Sequence, residues 1–107
     1  MNFGISEKSI NMIIETLKKW VEIEKAVVFG SRAMGNYKNG SDIDLAIYGS
    51  EVREEIINDV RVQLNEELPL PYYFDIIHYE SLVHEGLKEH IDTFGKLFYE
   101  RKPKEIW

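Results

Sequence analysis

Two aspartates, Asp42 and Asp44, open the run DIDLAIYG, and a Gly30-Ser31 pair closes the earlier run AVVFG with ten residues between Ser31 and Asp42. Residues two apart on a strand leave the same face with Cα atoms about 6 to 7 Å apart, so both carboxylates can reach one shared cation. With no Lys or Arg between them they repel, and a low-dielectric setting makes the repulsion worse; a divalent metal removes it. Oxygen-only ligands favour Mg²⁺, with Mn²⁺ as the alternative ion, over zinc. Mg²⁺ held by a few carboxylates completes its shell with water and substrate phosphates, which points to nucleotide chemistry. The Gly30-Ser31 turn supplies what a phosphate needs. Glycine lets backbone approach a ligand closely, and Ser31 offers a hydroxyl with unpaired N–H groups at the start of a helical turn. A third acid, Asp75, is out of keeping with the aromatic and branched run YYFDIIHY around it.

The elements that must position these residues can be read from periodicity. Ile10, Ile13, Ile14, Leu17, Trp20 and Val21 follow the three-and-four spacing of a helix with one buried stripe, with Ser6 or Ser9 as its cap. Ala26 to Gly30 is a short β-branched strand, and SRAMG allows one or two helical turns before the exposed loop NYKNGS. Asp42 to Gly49 alternates strictly, with Ile43, Leu45 and Ile47 on one side and Asp42, Asp44, Ala46 and Tyr48 on the other. A compact connection makes these two strands antiparallel neighbours, which sets the end of the first beside the start of the second. A second helix is expected from about Ser50 to Leu68, stopped at Pro69. Tyr72 to Tyr79 reads as a third strand. A third helix from Ser81, with Leu82 or Val83, Leu87, Ile91 and Phe94 as its stripe, ends at Gly95 before the extended piece KLFYE. The expectation is an α/β (α+β) fold, a small mixed β-sheet of three to four strands packed with helices.

Size and charge bound the rest. A chain of 107 residues with 44% apolar content builds one core, so residues 1–107 are expected to form a single domain. A formal charge of −6 argues against direct binding to nucleic-acid phosphates or anionic lipid. The absence of cysteine excludes disulfides, thiolate metal sites and cysteine nucleophiles and fits a reducing compartment. MNFGISEKSI lacks the pattern of a secretory signal, and no apolar run approaches the roughly 18 residues of a membrane span. The chain is therefore expected to be soluble and cytoplasmic.

The arrangement Gly30-Ser31, ten residues, then Asp42-x-Asp44 resembles the signature of the DNA polymerase β-like nucleotidyltransferase superfamily. FGSRAMG followed by SDIDLAI is especially similar to its minimal nucleotidyltransferase (MNT) branch, and the resemblance covers nearly the whole chain. The family takes a third acid from a later strand, and Asp75 stands in the matching place. The resemblance implies that Asp42 and Asp44 hold two Mg²⁺ ions, that Asp75 helps hold one of them and activates the attacking hydroxyl, and that Gly30 and Ser31 grip the triphosphate of ATP. It further implies the antitoxin half of a HEPN–MNT toxin–antitoxin pair, whose partner is a HEPN ribonuclease that receives AMP on a tyrosine. Arg32 is assigned to the nucleotide-binding set, with contact to a partner or simple solvation as its alternatives.

Other features weigh less. Asp75 could instead cap a neighbouring backbone. Transfer to a small hydroxylated acceptor, or a binding subunit without chemistry, are the competing functions. The three histidines read as surface or core groups; His84 and His90, six apart on a helix, do not share a face. Lys96, Arg101, Lys102 and Lys104 with Phe98, Tyr99 and Trp107 suggest a solvated tail that frays or docks. Spare aromatics suit a homodimer or a mixed assembly.

Overall fold

The computed structural model describes residues 2–102. Its elements run α1 (Glu7–Leu17), β1 (Lys25–Phe29), α2 (Ser31–Met34), β2 (Ile43–Tyr48), α3 (Glu54–Val62), β3 (Phe74–His78), α4 (Glu85–Phe94) and β4 (Lys96–Glu100). The four strands form one sheet in the order β3-β2-β1-β4, in which β2 and β3 are parallel and the other pairs antiparallel. The mixed α+β sheet expected from sequence is thus present, with KLFYE as its fourth strand. No helix among the described residues is long and apolar enough to cross a membrane.

The alternation of β2 sorts the sheet into two faces. Ile43, Leu45 and Ile47 join Val28, Phe74 and Ile76 in the main core, together with Ile13 and Leu17 of α1 and Ile56, Ile57 and Val60 of α3. The opposite face carries Val27, Phe29 and Ala46, covered by Ile91 of α4. Asp44 shares that second face, since Phe29 is its cross-strand partner on β1 and Asp75 its partner on β3. The acids therefore stand on the α4 side of the sheet, where β1 ends and the parallel strands begin.

Element boundaries depart from the sequence expectation where contacts between elements intervene. Ser6 caps α1, its hydroxyl accepting the Ser9 N–H at 3.1 Å. The helix then stops at Leu17, and the bonds Lys19 N–H to Thr16 and Trp20 N–H to Leu17 tighten to i→i−3 spacing. The tightening takes Val21 out of the stripe and leaves it 70% exposed. The second helix begins at Glu54, not Ser50, and after Val62 it widens into a π-helical turn over Gln63–Glu67. From that turn the Asn65 side chain donates to the Phe74 carbonyl at 3.1 Å and accepts the Phe74 N–H at 2.7 Å. One helical turn earlier, Arg61 donates to the Ile76 carbonyl at 3.0 Å. These two side chains satisfy the outer edge of β3, a strand with no neighbour on that side among the described residues, and hold it in register next to Asp75.

The third helix starts at Glu85, where the His84 ring accepts the Leu87 N–H at 2.9 Å and so supplies the cap; Tyr79–Ser81 form a separate 3₁₀ turn. Val83 consequently points to solvent. At the other end of the chain Arg101 docks: its N–H bonds the Glu24 carbonyl at 2.8 Å, and its guanidinium reaches the carbonyls of Lys18 and Trp20. Lys104 and Trp107 of the expected docking tail lie outside the described residues.

Candidate functional site

Gly30 follows β1 directly and adopts φ 72° and ψ −152°, a backbone conformation closed to most side chains. A second constraint acts at the same atom. A Cβ placed on Gly30 would run into the carboxylate of Asp44. Glycine is therefore required here twice, once by the turn and once by the acid packed against its Cα. The bend leads into the single turn of α2, in which the Gly30 carbonyl accepts the Met34 N–H at 3.1 Å.

Around this bend the structure gathers the acids singled out in sequence. Asp44 and Asp75 are register partners on adjacent parallel strands, a separation of about 5 Å between backbones. Asp42 stands one residue before β2. Asp44 is half-buried, while Asp42 and Asp75 are exposed. The electrostatic consequence falls on Asp44, whose pKa rises from 3.8 to about 6. Burial is the main cause, followed by the charges of Asp75 and then Asp42, and the nearby Arg32 works in the other direction.

Arg32, expected in the nucleotide-binding set with solvation or a partner contact as alternatives, is buried, and each of its guanidinium nitrogens donates to a protein carbonyl. Nε and Nη2 donate to the Ser41 carbonyl at 3.1 and 2.8 Å, and Nη1 donates to the Phe3 carbonyl at 2.9 Å. The guanidinium also lies over the rings of Tyr37 and Tyr72, 5.1 and 5.3 Å from their centroids. Held in this way, Arg32 anchors the residue that immediately precedes Asp42, and its action on the site is to fix the loop that presents that acid. The signal was not available in sequence, because its partners are backbone carbonyls.

His90 is a further residue at this corner that its sequence reading left among surface or core groups. Its Nε2 accepts the N–H of Gly30 at 3.1 Å. A signal did exist: His90 lies three residues after Leu87 and four before Phe94, within the stripe of α4, although not on the face of His84. The other two histidines do local work. His84 caps α4, and His78 bonds Ser81 Oγ and the Gly49 carbonyl at 2.7 and 2.9 Å, at the far end of the sheet from the acids.

The donor set suits a hard divalent cation. It consists of carboxylate oxygens, and burial, followed by the charges of Asp75 and Asp42, disfavours the ionised form of Asp44, a cost that a bound cation offsets. Among the described residues no group of three or more His, Cys, Asp or Glu side chains is set as a cage for a metal. The three aspartates expected to share the metal are thus not drawn together as one ligand group in this structure.

Comparison with known proteins bears on the same corner. No curated protein matches the chain. In solved structures, a chain of a toxin–antitoxin complex with AMP-PNP is 19% identical, with 92% of this chain and 76% of that one covered at a TM-score of 0.69. The complex of tri-AMPylated Shewanella oneidensis HEPN toxin with MNT antitoxin contains a chain at 19% identity and TM-score 0.68, covering 91% of this chain and 74% of that one. A protein assigned as a nucleotidyltransferase from Sulfolobus solfataricus aligns at 22% identity and TM-score 0.52, over 92% of both chains. At these identities the likeness is one of fold. The family model described as polymerase beta, nucleotidyltransferase matches residues 11–104, so that the Gly30 bend and all three acids fall within it. With that match spanning most of its length, the chain belongs to the polymerase β nucleotidyltransferase family and carries a nucleotidyltransferase domain.

Proposed function

We propose that the protein is a Mg²⁺-dependent adenylyltransferase and the antitoxin of a HEPN–MNT pair, moving AMP from ATP to a tyrosine hydroxyl of a HEPN toxin. The observation that supports the chemistry is the packing of Asp44 against Gly30 and beside Asp75, which brings two acids and the glycine bend to one corner. The choice of acceptor is supported by the likeness of fold to chains of toxin–antitoxin complexes, one with AMP-PNP and another with a tri-AMPylated HEPN toxin.

In this reading Asp42 and Asp44 hold Mg²⁺ and Asp75 helps hold one of two such ions. The metal supplies positive charge for the triphosphate that a chain of formal charge −6 lacks. The backbone of Gly30 and the N–H and hydroxyl of Ser31 orient the phosphates. Asp75, exposed at the edge of the corner, accepts the proton of the incoming hydroxyl. The acceptor oxygen forms a bond to the α-phosphorus as the bond from that phosphorus to the bridging oxygen of pyrophosphate breaks, in line.

The test is transfer itself. Incubation with ATP labelled at the α-phosphate, Mg²⁺ and the HEPN protein encoded beside it should label a tyrosine of that protein. Asp44→Asn and Asp75→Asn should each abolish the label. Transfer that survives both substitutions, or no label with the unmodified protein, would refute the proposal.

A further inference from the structure

We propose that His90 is a positioning residue for nucleotide binding: its Nε2 fixes the Gly30 peptide in the orientation that lets the bend receive a triphosphate. This deepens the reading above and rests on it. The central fact is the bond from the Gly30 N–H to His90 Nε2 at 3.1 Å, which joins α4 to the end of β1 across 60 positions of sequence. A backbone N–H can only donate, so Nε2 is an acceptor and the ring carries its proton on Nδ1.

The neighbourhood explains why this bond holds its direction. The His90 ring lies edge-on to Phe29, with centroids 6.3 Å apart, and against Phe94 at 5.3 Å. These contacts leave the ring little room to turn away. The helix that carries it is seated by its neighbours in sequence. Ile91 is buried against the sheet, and Asp92 accepts the Tyr79 hydroxyl proton in a bond of 2.5 Å. At the helix end, Gly95 sits so close to Val27 and to the Ile91 carbonyl that a Cβ would meet both. α4 is thereby fixed against β1, and His90 transmits that fixed position to the Gly30 peptide.

The bond matters because Gly30 has few other restraints. A glycine at φ 72° has wide conformational freedom, and its peptide N–H without an acceptor can turn to water or to a ligand. On the following side, the carbonyl of Gly30 accepts the Met34 N–H. The histidine acceptor therefore sets the peptide on one side of the bend and α2 sets it on the other, with the Asp44 carboxylate closing the space between. Binding sites of this kind gain affinity by having the orientation made before the ligand arrives.

Two substitutions separate the acceptor from the ring. His90→Phe keeps an aromatic between Phe29 and Phe94 and deletes the acceptor; His90→Gln deletes the ring and offers Oε1 at the same number of bonds from Cβ. Equilibrium dialysis with Mg²⁺ and AMP-PNP should show about tenfold weaker binding for His90→Phe, within the usual range for one lost hydrogen bond. His90→Gln should recover most of it. Steady-state transfer should show the same pattern as a raised KM for ATP with a smaller change in kcat, and the Gly30 amide should lose hydrogen-exchange protection in the Phe variant alone. Should His90→Phe not fold, His90→Leu takes its place in the comparison. Equal AMP-PNP affinity in all three proteins, with activity following only the folded fraction, would overturn the inference and leave the proposed function standing. Failure of the unmodified protein to bind AMP-PNP would overturn both.

Discussion

Asp44→Asn should make the protein more stable at neutral pH while removing its activity. The pKa of Asp44 rises from 3.8 to about 6 in the folded protein, so its charged form is disfavoured there relative to the unfolded chain. At about 1.4 kcal/mol for each tenfold step, the difference corresponds to about 3 kcal/mol at face value. The site is half open to solvent, and screening reduces the expected gain to about 1–2 kcal/mol. The sign follows from the direction of the shift. Well below pH 3.8 both states are protonated and there is no penalty to remove. As pH rises from about 4 to about 6 the unfolded chain ionises first, stability falls, and above that window the full penalty applies. Urea denaturation at pH 7.5 without divalent metal should therefore move the midpoint of Asp44→Asn upward by roughly 0.5–1 M, given a slope of about 1–3 kcal/mol per molar. At pH 4 the advantage should largely vanish. Millimolar Mg²⁺ should stabilise the unmodified protein and close part of the gap at pH 7.5, since it binds the folded form. A variant less stable than the parent at pH 7.5, or equally advantaged at both pH values, would refute the argument that burial and the neighbouring acids make the ionised Asp44 costly in the fold.

Gly30→Ala should lose activity and about 2–3 kcal/mol of stability, because it meets both the positive φ and the Asp44 carboxylate. Adding Asp44→Ala should recover part of the stability and none of the activity, a coupling that a double-mutant cycle in urea reads directly. Arg32→Ala should cost about 3 kcal/mol by stripping the carbonyls of Ser41 and Phe3 of their donor, and Arg32→Lys should not restore it, since a point charge cannot replace the fork. Asn65→Ala should lower stability by about 1–2 kcal/mol and lower transfer by more than the loss of folded protein explains, because the strand bearing Asp75 loses its edge restraint.

What could be read in advance was whatever depends on near neighbours in sequence. The strict alternation of Asp42 to Gly49 sufficed to put Asp44 opposite the core face, and the compact connection to β1 sufficed to pair the two strands. The rest depends on contacts that no local pattern encodes. Asn65 widens the end of the second helix because it must reach Phe74; His84 moves the start of the last helix because its ring is the cap. Arg32 is by sequence a residue of the helical turn assigned to the nucleotide and in the fold a buried brace, since the carbonyls that hold it come from Phe3 and Ser41. His90 acquires its part only when α4 lies over the end of β1.

Asp44 and Asp75 sit on the sheet's parallel pair, and a parallel pair cannot close as a hairpin; it needs the whole crossover through α3. The antiparallel β1–β2 ribbon can form early and without conflict, whereas docking β3 demands a longer loop closure and brings a second negative charge alongside the first. The acid pair thus waits on a longer-range pairing than the β1–β2 ribbon. A chain in which β3 has not docked lacks the Asp44–Asp75 pair, so the transfer reaction reports on that pairing.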